Sequence, residues 1–190
     1  NPDCKSDEKF KALGGHDYRT LFAFKSPDGL HWSLMQTESV INDGMMDSQN
    51  LAFWDPIQKC YFAYYRDFKN KKGDTRKYKK DEFSYRERDV RVATSTDFLN
   101  WTKGEFLDWK PDRMTQLYTS QVQLYPGAPH LRIGFPMRYL PGRGLASKLN
   151  QRIAKASRYY ATVYTDTGLI TSRDGRSFSV WPESLVRPGP

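Results

Sequence analysis

Asp47 stands directly before Ser48-Gln49-Asn50, and Asp67 directly after Arg66. Two carboxylates can share acid–base work when one stays protonated to donate a proton and the other is ionised to attack or to activate water. No phosphate-cradling glycine loop, nucleophile elbow or zinc-protease pattern competes with them. His16, His31 and His130 are scattered without metal-ligand spacing, so no metal and no cofactor are expected. The step Ser48-Gln49 recurs 72 residues on as Ser120-Gln121, and each copy is followed 18 residues later by an arginine, Arg66 or Arg138. The acids do not recur: Thr119 matches Asp47, and Tyr139 matches Asp67. A pocket built from unlike repeats around one ligand has this pattern. Two plainer roles stay open, Asp47 as a cap on nearby backbone and Asp67 as the ion partner of its own basic loop.

The elements that must position these residues follow from a second repeat. Ser26-Pro-Asp28-Gly-Leu-His-Trp32, Ser95-Thr-Asp97-Phe-Leu-Asn-Trp101 and Ser172-Arg-Asp174-Gly-Arg-Ser-Phe178 share the pattern Ser-x-Asp-x-x-x-aromatic, their Asp residues 69 and 77 apart. This is hairpin chemistry, in which Asp binds backbone N–H groups two residues on and Gly29 and Gly175 supply positive φ. Between the phrases lie strand-like runs, 50–54, 60–65, 121–125 and 131–135, split by turns at Asp55-Pro56 and Pro126-Gly127. Leu131, Ile133 and Phe135 alternate with Arg132 and Gly134, which predicts a half-buried strand with the apolar set inward. Each unit reads strand, turn, strand, variable loop, strand, Asp turn, strand. Radial repetition of such four-stranded blades, each about 70 residues, is a β-propeller.

The fold expected is therefore all-β, an incomplete propeller of about two and a half blades in one domain spanning 1–190. Residues 18–40 end one blade, 45–110 form the second and 117–187 the third. Rings close with four to eight blades, so the remaining blades are expected outside this chain. The alternative is a complete antiparallel β domain whose repeats reflect an old duplication.

The net charge of +8 is local rather than general. Residues 69–91 hold ten Lys/Arg against five Asp/Glu, and 141–158 hold five basic residues and no acid. Both follow the second strand of their unit, and Leu145, Leu149 and Ile153 suggest a short helix over Leu145–Tyr160 in the second. Solvated loops are the plain reading; attraction of an anionic ligand follows if they border a site. Nucleic acid is not expected as a partner, because no recognised module accompanies the charge. No apolar run reaches the roughly 18–20 residues of a membrane span. Cys4 and Cys60 allow one disulfide at most, and Cys60 reads as a buried small hydrophobe. The compartment is left open, with an extracellular or periplasmic setting favoured over the cytoplasm.

The run Asp47-Ser-Gln-Asn-Leu-Ala-Phe-Trp-Asp-Pro56, the Arg66-Asp67 step, the strand-turn Ala93 to Trp101, and Tyr118-Thr-Ser through Tyr125-Pro-Gly resemble the five-bladed β-propeller glycoside hydrolases. More narrowly, they look like bacterial proteins similar to the N-terminal domain of the invertase-like fructosidases, in a clan that also holds arabinanase-type enzymes. The resemblance covers residues 18–189. It implies cleavage of glycosidic bonds by carboxylates around a central channel, with Asp47 and Asp67 as the catalytic candidates. Gln49, Asn50, Arg66, Tyr118 and Arg138 are the substrate-binding candidates, and an oligo- or polysaccharide, neutral or anionic, is the implied partner. Phe68 stands where the family pattern has proline, and residues 116–120 contain no acid. The general acid is then Asp112, an acid on a further blade, or absent. A non-catalytic glycan-binding propeller is the alternative.

Overall fold

The computed structural model describes residues 1–15, 17–70, 86–111, 116–141 and 163–187. The helix expected over Leu145–Tyr160, most of both basic loops, His16 and Asp112 lie outside these residues.

The chain is all-β, and its small sheets stack as propeller blades do. The first sheet, β1 (Phe10–Gly14), β2 (Phe22–Ser26) and β3 (Ser33–Leu34), has one strand more than the repeat alone marks out. The second is a four-stranded antiparallel meander of β4 (Leu51–Asp55), β5 (Cys60–Asn70), β6 (Arg86–Ser95) and β7 (Glu105–Phe106). After it come β8 (Asp108–Lys110), β9 (Gln116–Leu117), β10 (Gln123–Tyr125), β11 (Ala128–Gly134), β12 (Met137–Pro141), β13 (Val163–Thr167), β14 (Ile170–Ser172) and β15 (Ser177–Val180). The third sheet has the order β10-β11-β14-β15-β8, its last pair parallel, and β13-β12-β9 form a fourth.

Strand β5 explains the stacking. Residues Tyr61 to Arg66 are all buried, which needs cover on both faces because side chains alternate. Phe62 and Tyr64, with Val90 and Val92 of β6, pack against Leu117, Val122, Ile170 and Phe178. Ala63, Tyr65 and Ala93 face the other way, against Leu21, Ile41 and Met46, and Tyr61 packs with Ala23 and Phe98. The second sheet is thus the middle layer, each large buried side chain contributing about 1.5–3 kcal/mol.

The three Asp phrases fold alike. Ser26, Ser95 and Ser172 donate through Oγ to Asp28, Asp97 and Asp174 at 3.0, 2.9 and 3.0 Å. Each Asp Oδ1 then accepts two backbone N–H groups at 2.7–2.9 Å. Gly29 and Gly175 have φ of 81° and 78°, as expected, and Phe98 takes the same region at 71°. Phe98 holds it because its ring is buried edge-on to Tyr61 and Trp101, at 4.9 and 5.4 Å.

One strand turns out opposite to its apolar pattern. Arg132 and Gly134 of β11 are the buried positions, while Leu131, Ile133 and Phe135 are half-buried. The Arg132 guanidinium pairs with the fully buried Asp55 of β4, donates to the Arg173 carbonyl at 2.6 Å and lies 4.9 Å over Phe62. Gly134 completes the reversal, because a Cβ there would stand 2.8 Å from both Ile170 and the Ser120 carbonyl oxygen. Nearby, the buried Tyr64 hydroxyl donates to the Gly175 carbonyl at 2.8 Å. Burial pushes that phenol above its ordinary range, so it stays a donor. Cys4 and Cys60 are both free thiols.

Candidate functional site

Strand alternation places Arg66 and Phe68 on the face of β5 that looks toward the third and fourth sheets. The ladder sets Arg66 opposite Val90 and Phe68 opposite Arg88. Opposite the apolar Val90, Arg66 reaches past its own sheet and donates to the carboxylate of Asp47. Arg66 is buried, while the Asp47 side chain remains 46% exposed. The segment bearing Asp47 is fixed by Met45, whose N–H donates to the Arg66 carbonyl at 2.9 Å, and by Ser48, whose Oγ donates to the Tyr118 carbonyl at 3.4 Å.

These residues edge a cleft of about 670 Å³, within the roughly 300–1,000 Å³ of small-molecule sites. Its walls carry Asp47, Arg66, Arg88, Phe68, Tyr118, Tyr139 and Tyr164, with Met45, Met137, Val163 and Thr165. The two guanidinium groups interleave with the rings. Arg66 lies 4.7 Å over Phe68 and 5.2 Å over Tyr118, and Arg88 lies 3.8 Å over Tyr139. Gln116 accepts from the backbone and side chain of Arg88 at 3.0 and 3.2 Å. Such cation–π contacts hold a guanidinium out of bulk water at modest cost. Among the described residues no three His, Cys, Asp or Glu side chains gather to hold a metal ion.

The structure brings Asp47, Arg66 and Tyr118 together in this cleft. Asp67 points the other way, as its place next to Arg66 on β5 requires. It accepts from Arg91 Nε at 2.6 Å, and Arg91 also donates to the Gly104 carbonyl at 2.6 Å. Arg138 is held by Asp166, its cross-strand neighbour, through two hydrogen bonds of 2.5 and 2.7 Å, and by the Pro182 carbonyl at 2.8 Å. Gln49 is exposed outside the cleft, and Asn50 lies behind Asp47. Thr119, the counterpart of Asp47, spends its hydroxyl locally, donating to Gln121 at 2.7 Å and accepting from the Met137 N–H at 3.1 Å. Sequence reasoning missed Phe68, Arg88, Tyr139 and Tyr164. Alternation from Arg66 points to Phe68, whereas Arg88 depends on the β5–β6 register.

No protein-family model matches this sequence, and no curated protein matches it. Solved structures do share the fold. An N-acetylgalactosamine deacetylase from F. plautii, in complex with blood group B trisaccharide, superposes over 90% of this chain with a TM-score of 0.56 at 14% identity. An α-L-arabinofuranosidase from Fusarium graminearum, in complex with an iminosugar inhibitor, superposes over 93% with a TM-score of 0.52 at 13% identity. The chain spans 46% and 44% of those proteins, about half of each. At these identities the likeness is one of fold.

Proposed function

We propose that the chain is part of a five-bladed β-propeller glycoside hydrolase of the invertase-like and arabinanase-type clan, acting on a saccharide bound in the Asp47 cleft. In this reading 18–40, 45–110 and 117–187 belong to successive blades, and further blades complete the ring. The observation that carries it is a half-exposed carboxylate, Asp47, set against a buried arginine in a cleft walled by four aromatic rings. Rings stack on the C–H faces of sugars, and arginine and carboxylate groups bind hydroxyls. Two proteins of the same fold having been solved with a trisaccharide and an iminosugar supports a saccharide here.

Asp47 is the base or nucleophile. Arg66 donates to it, and the ionised form of a carboxylate is the one that attacks or activates water. The partner acid must sit roughly 5 Å away for retention, or 6.5–9.5 Å away for inversion. Asp112 or an acid of a further blade fills that role.

One observation favours a second reading, a glycan-binding propeller without catalysis. Asp47 is the single carboxylate among the described residues lining the cleft, beside two arginines. One carboxylate cannot be acid and base together, and the positive surplus suits a uronate or sulfated glycan.

Sugar release decides between them. The complete protein and its Asp47→Asn variant are assayed on arabino-, fructo-, galacto- and galacturono-oligosaccharides. Release by the parent that falls by about 10²-fold or more in the variant is the expected result. Binding without release moves the conclusion to the second reading.

A further inference from the structure

The positive charge of the chain and its cleft share the same strand ends. Residues 71–85 and 142–162 together hold eleven Lys/Arg and three Asp/Glu, a surplus equal to the whole net charge of +8. Each stretch connects two strands that stand in the cleft wall. Phe68 lies two residues before the end of β5 and Arg88 two residues after the start of β6, on either side of 71–85. Tyr139 lies two residues before the end of β12 and Val163 opens β13, on either side of 142–162. Four strand ends from two repeats thus converge on one cleft, and both basic connections start and finish at its rim.

The cleft wall adds to that charge. Its described lining carries two guanidinium groups, Arg66 and Arg88, and one carboxylate, Asp47, which accepts from Arg66. Arg88 stands among three rings, 3.8 Å from the centre of Tyr139, 5.4 Å from Phe68 and 5.5 Å from Tyr118. Aromatic walls polarise far less than water, so a cleft dominated by one sign of charge focuses its field on whatever enters. Outside the two connections the chain carries nineteen basic and nineteen acidic residues. The field therefore has its source beside the cleft.

We propose that the ligand of the cleft is an acidic saccharide, one bearing uronate or sulfate groups, drawn in by the basic connections at the rim. This rests on the carbohydrate reading of the cleft, and it holds whether the saccharide is cleaved or only bound. Exposed charges act over a screening length of about 10 Å at 0.1 M salt and about 3 Å at 1 M, so the attraction weakens as salt rises.

The test is titration calorimetry of the complete protein with trigalacturonate and its methyl ester, which share rings and linkages and differ in charge. A sulfated galactan oligosaccharide and its desulfated form make a second pair. Both pairs are run at about 0.1 M and about 1 M salt. Two charge variants stand beside the parent, Lys77→Gln/Lys79→Gln/Lys80→Gln and Lys148→Gln/Arg152→Gln/Lys155→Gln, with melting temperatures as the fold control. The expected result is that the charged form of one pair binds about tenfold or more tighter than its uncharged form at low salt. High salt shrinks that preference, and each variant weakens it. Which pair shows the preference tells uronate from sulfate. Equal binding of charged and uncharged forms, binding confined to neutral saccharides, or a preference that both variants keep overturns the proposal and leaves the carbohydrate reading standing. No binding by these pairs or by the neutral series above overturns both.

Discussion

The β5–β6 hairpin runs unbroken from Cys60 to Asn70 and back from Arg86 to Ser95, whereas its counterpart in the next repeat is cut into β11 and β12 on the way out and β13 and β14 on the way back. At the repeat offset of 72 residues, Pro136 falls where the first hairpin has Tyr64. Proline has no N–H to give the ladder, so the strand stops at Gly134 and restarts at Met137. Beyond the break the cross-strand neighbours differ too. Arg66 faces Val90 and must look elsewhere for a carboxylate, while Arg138 faces Asp166 and is satisfied at once. A repeated arginine is thereby a cleft residue in one repeat and an internal tie in the other. One cross-strand residue, Val90 or Asp166, decides which.

The largest expected effect tests that contrast directly. Arg138→Ala strands the buried Asp166 carboxylate and lowers stability by about 3–5 kcal/mol in urea unfolding. Arg66→Ala costs only about 1–2 kcal/mol, because the Asp47 carboxylate is already half in water. Equal losses would erase the distinction between tie and cleft residue.

A smaller effect probes the break itself. Gly134 matches Phe62 of the unbroken strand, and its missing side chain is where Ile170 and the Ser120 carbonyl close in. Gly134→Ala overpacks this contact and costs about 1–3 kcal/mol in the same assay. A neutral outcome would show that proline alone, without the close packing, separates the two hairpins.

The smallest effect sharpens what the hairpins share. The Asp97 and Asp174 turns follow the return strand of each, and both carboxyls are held below their ordinary range. Partial burial opposes the shift, but backbone N–H groups, from Asn100 and Leu99 or from Arg176 and Ser177, outweigh it and bring Asp97 to about 2. A depressed carboxyl stabilises the fold above its unfolded value of 3.8, and the contribution disappears as pH falls toward 2. Asp97→Asn therefore flattens the acid limb of stability against pH, by about 0.5–1 kcal/mol at this exposed turn. Asp174→Asn acts in the same direction. A turn whose variant keeps the full acid slope would not belong with its fellow.

Much of the scaffold was legible because it rests on local chemistry. The Ser-x-Asp phrases specify their own hydrogen bonds, so sequence suffices to locate three turns and the strands that flank them. Arg132 shows the limit. Its charge suggested an outward face, and only Asp55, 77 residues away, makes the inward one tolerable. The site divides the same way. Asp47 and Arg66 stand at positions the repeat makes special, and Tyr118 came with the family resemblance. Arg88 and Tyr139 reach the cleft through register and through the break after Pro136, which depend on long-range pairing that no short motif carries.

Strand β8 has a consequence for inheritance. It follows β7 after Leu107 alone, yet it pairs with β15 and finishes the outer edge of the next sheet. The third sheet thus takes its last strand from the preceding repeat, whereas the second closes with its own β7. A copy of the segment that encodes the third sheet would have one raw edge, dependent on whichever repeat lay upstream. The length that evolution can copy and the length that can seal itself are offset by one strand, which ties neighbouring copies into a single lineage of contacts.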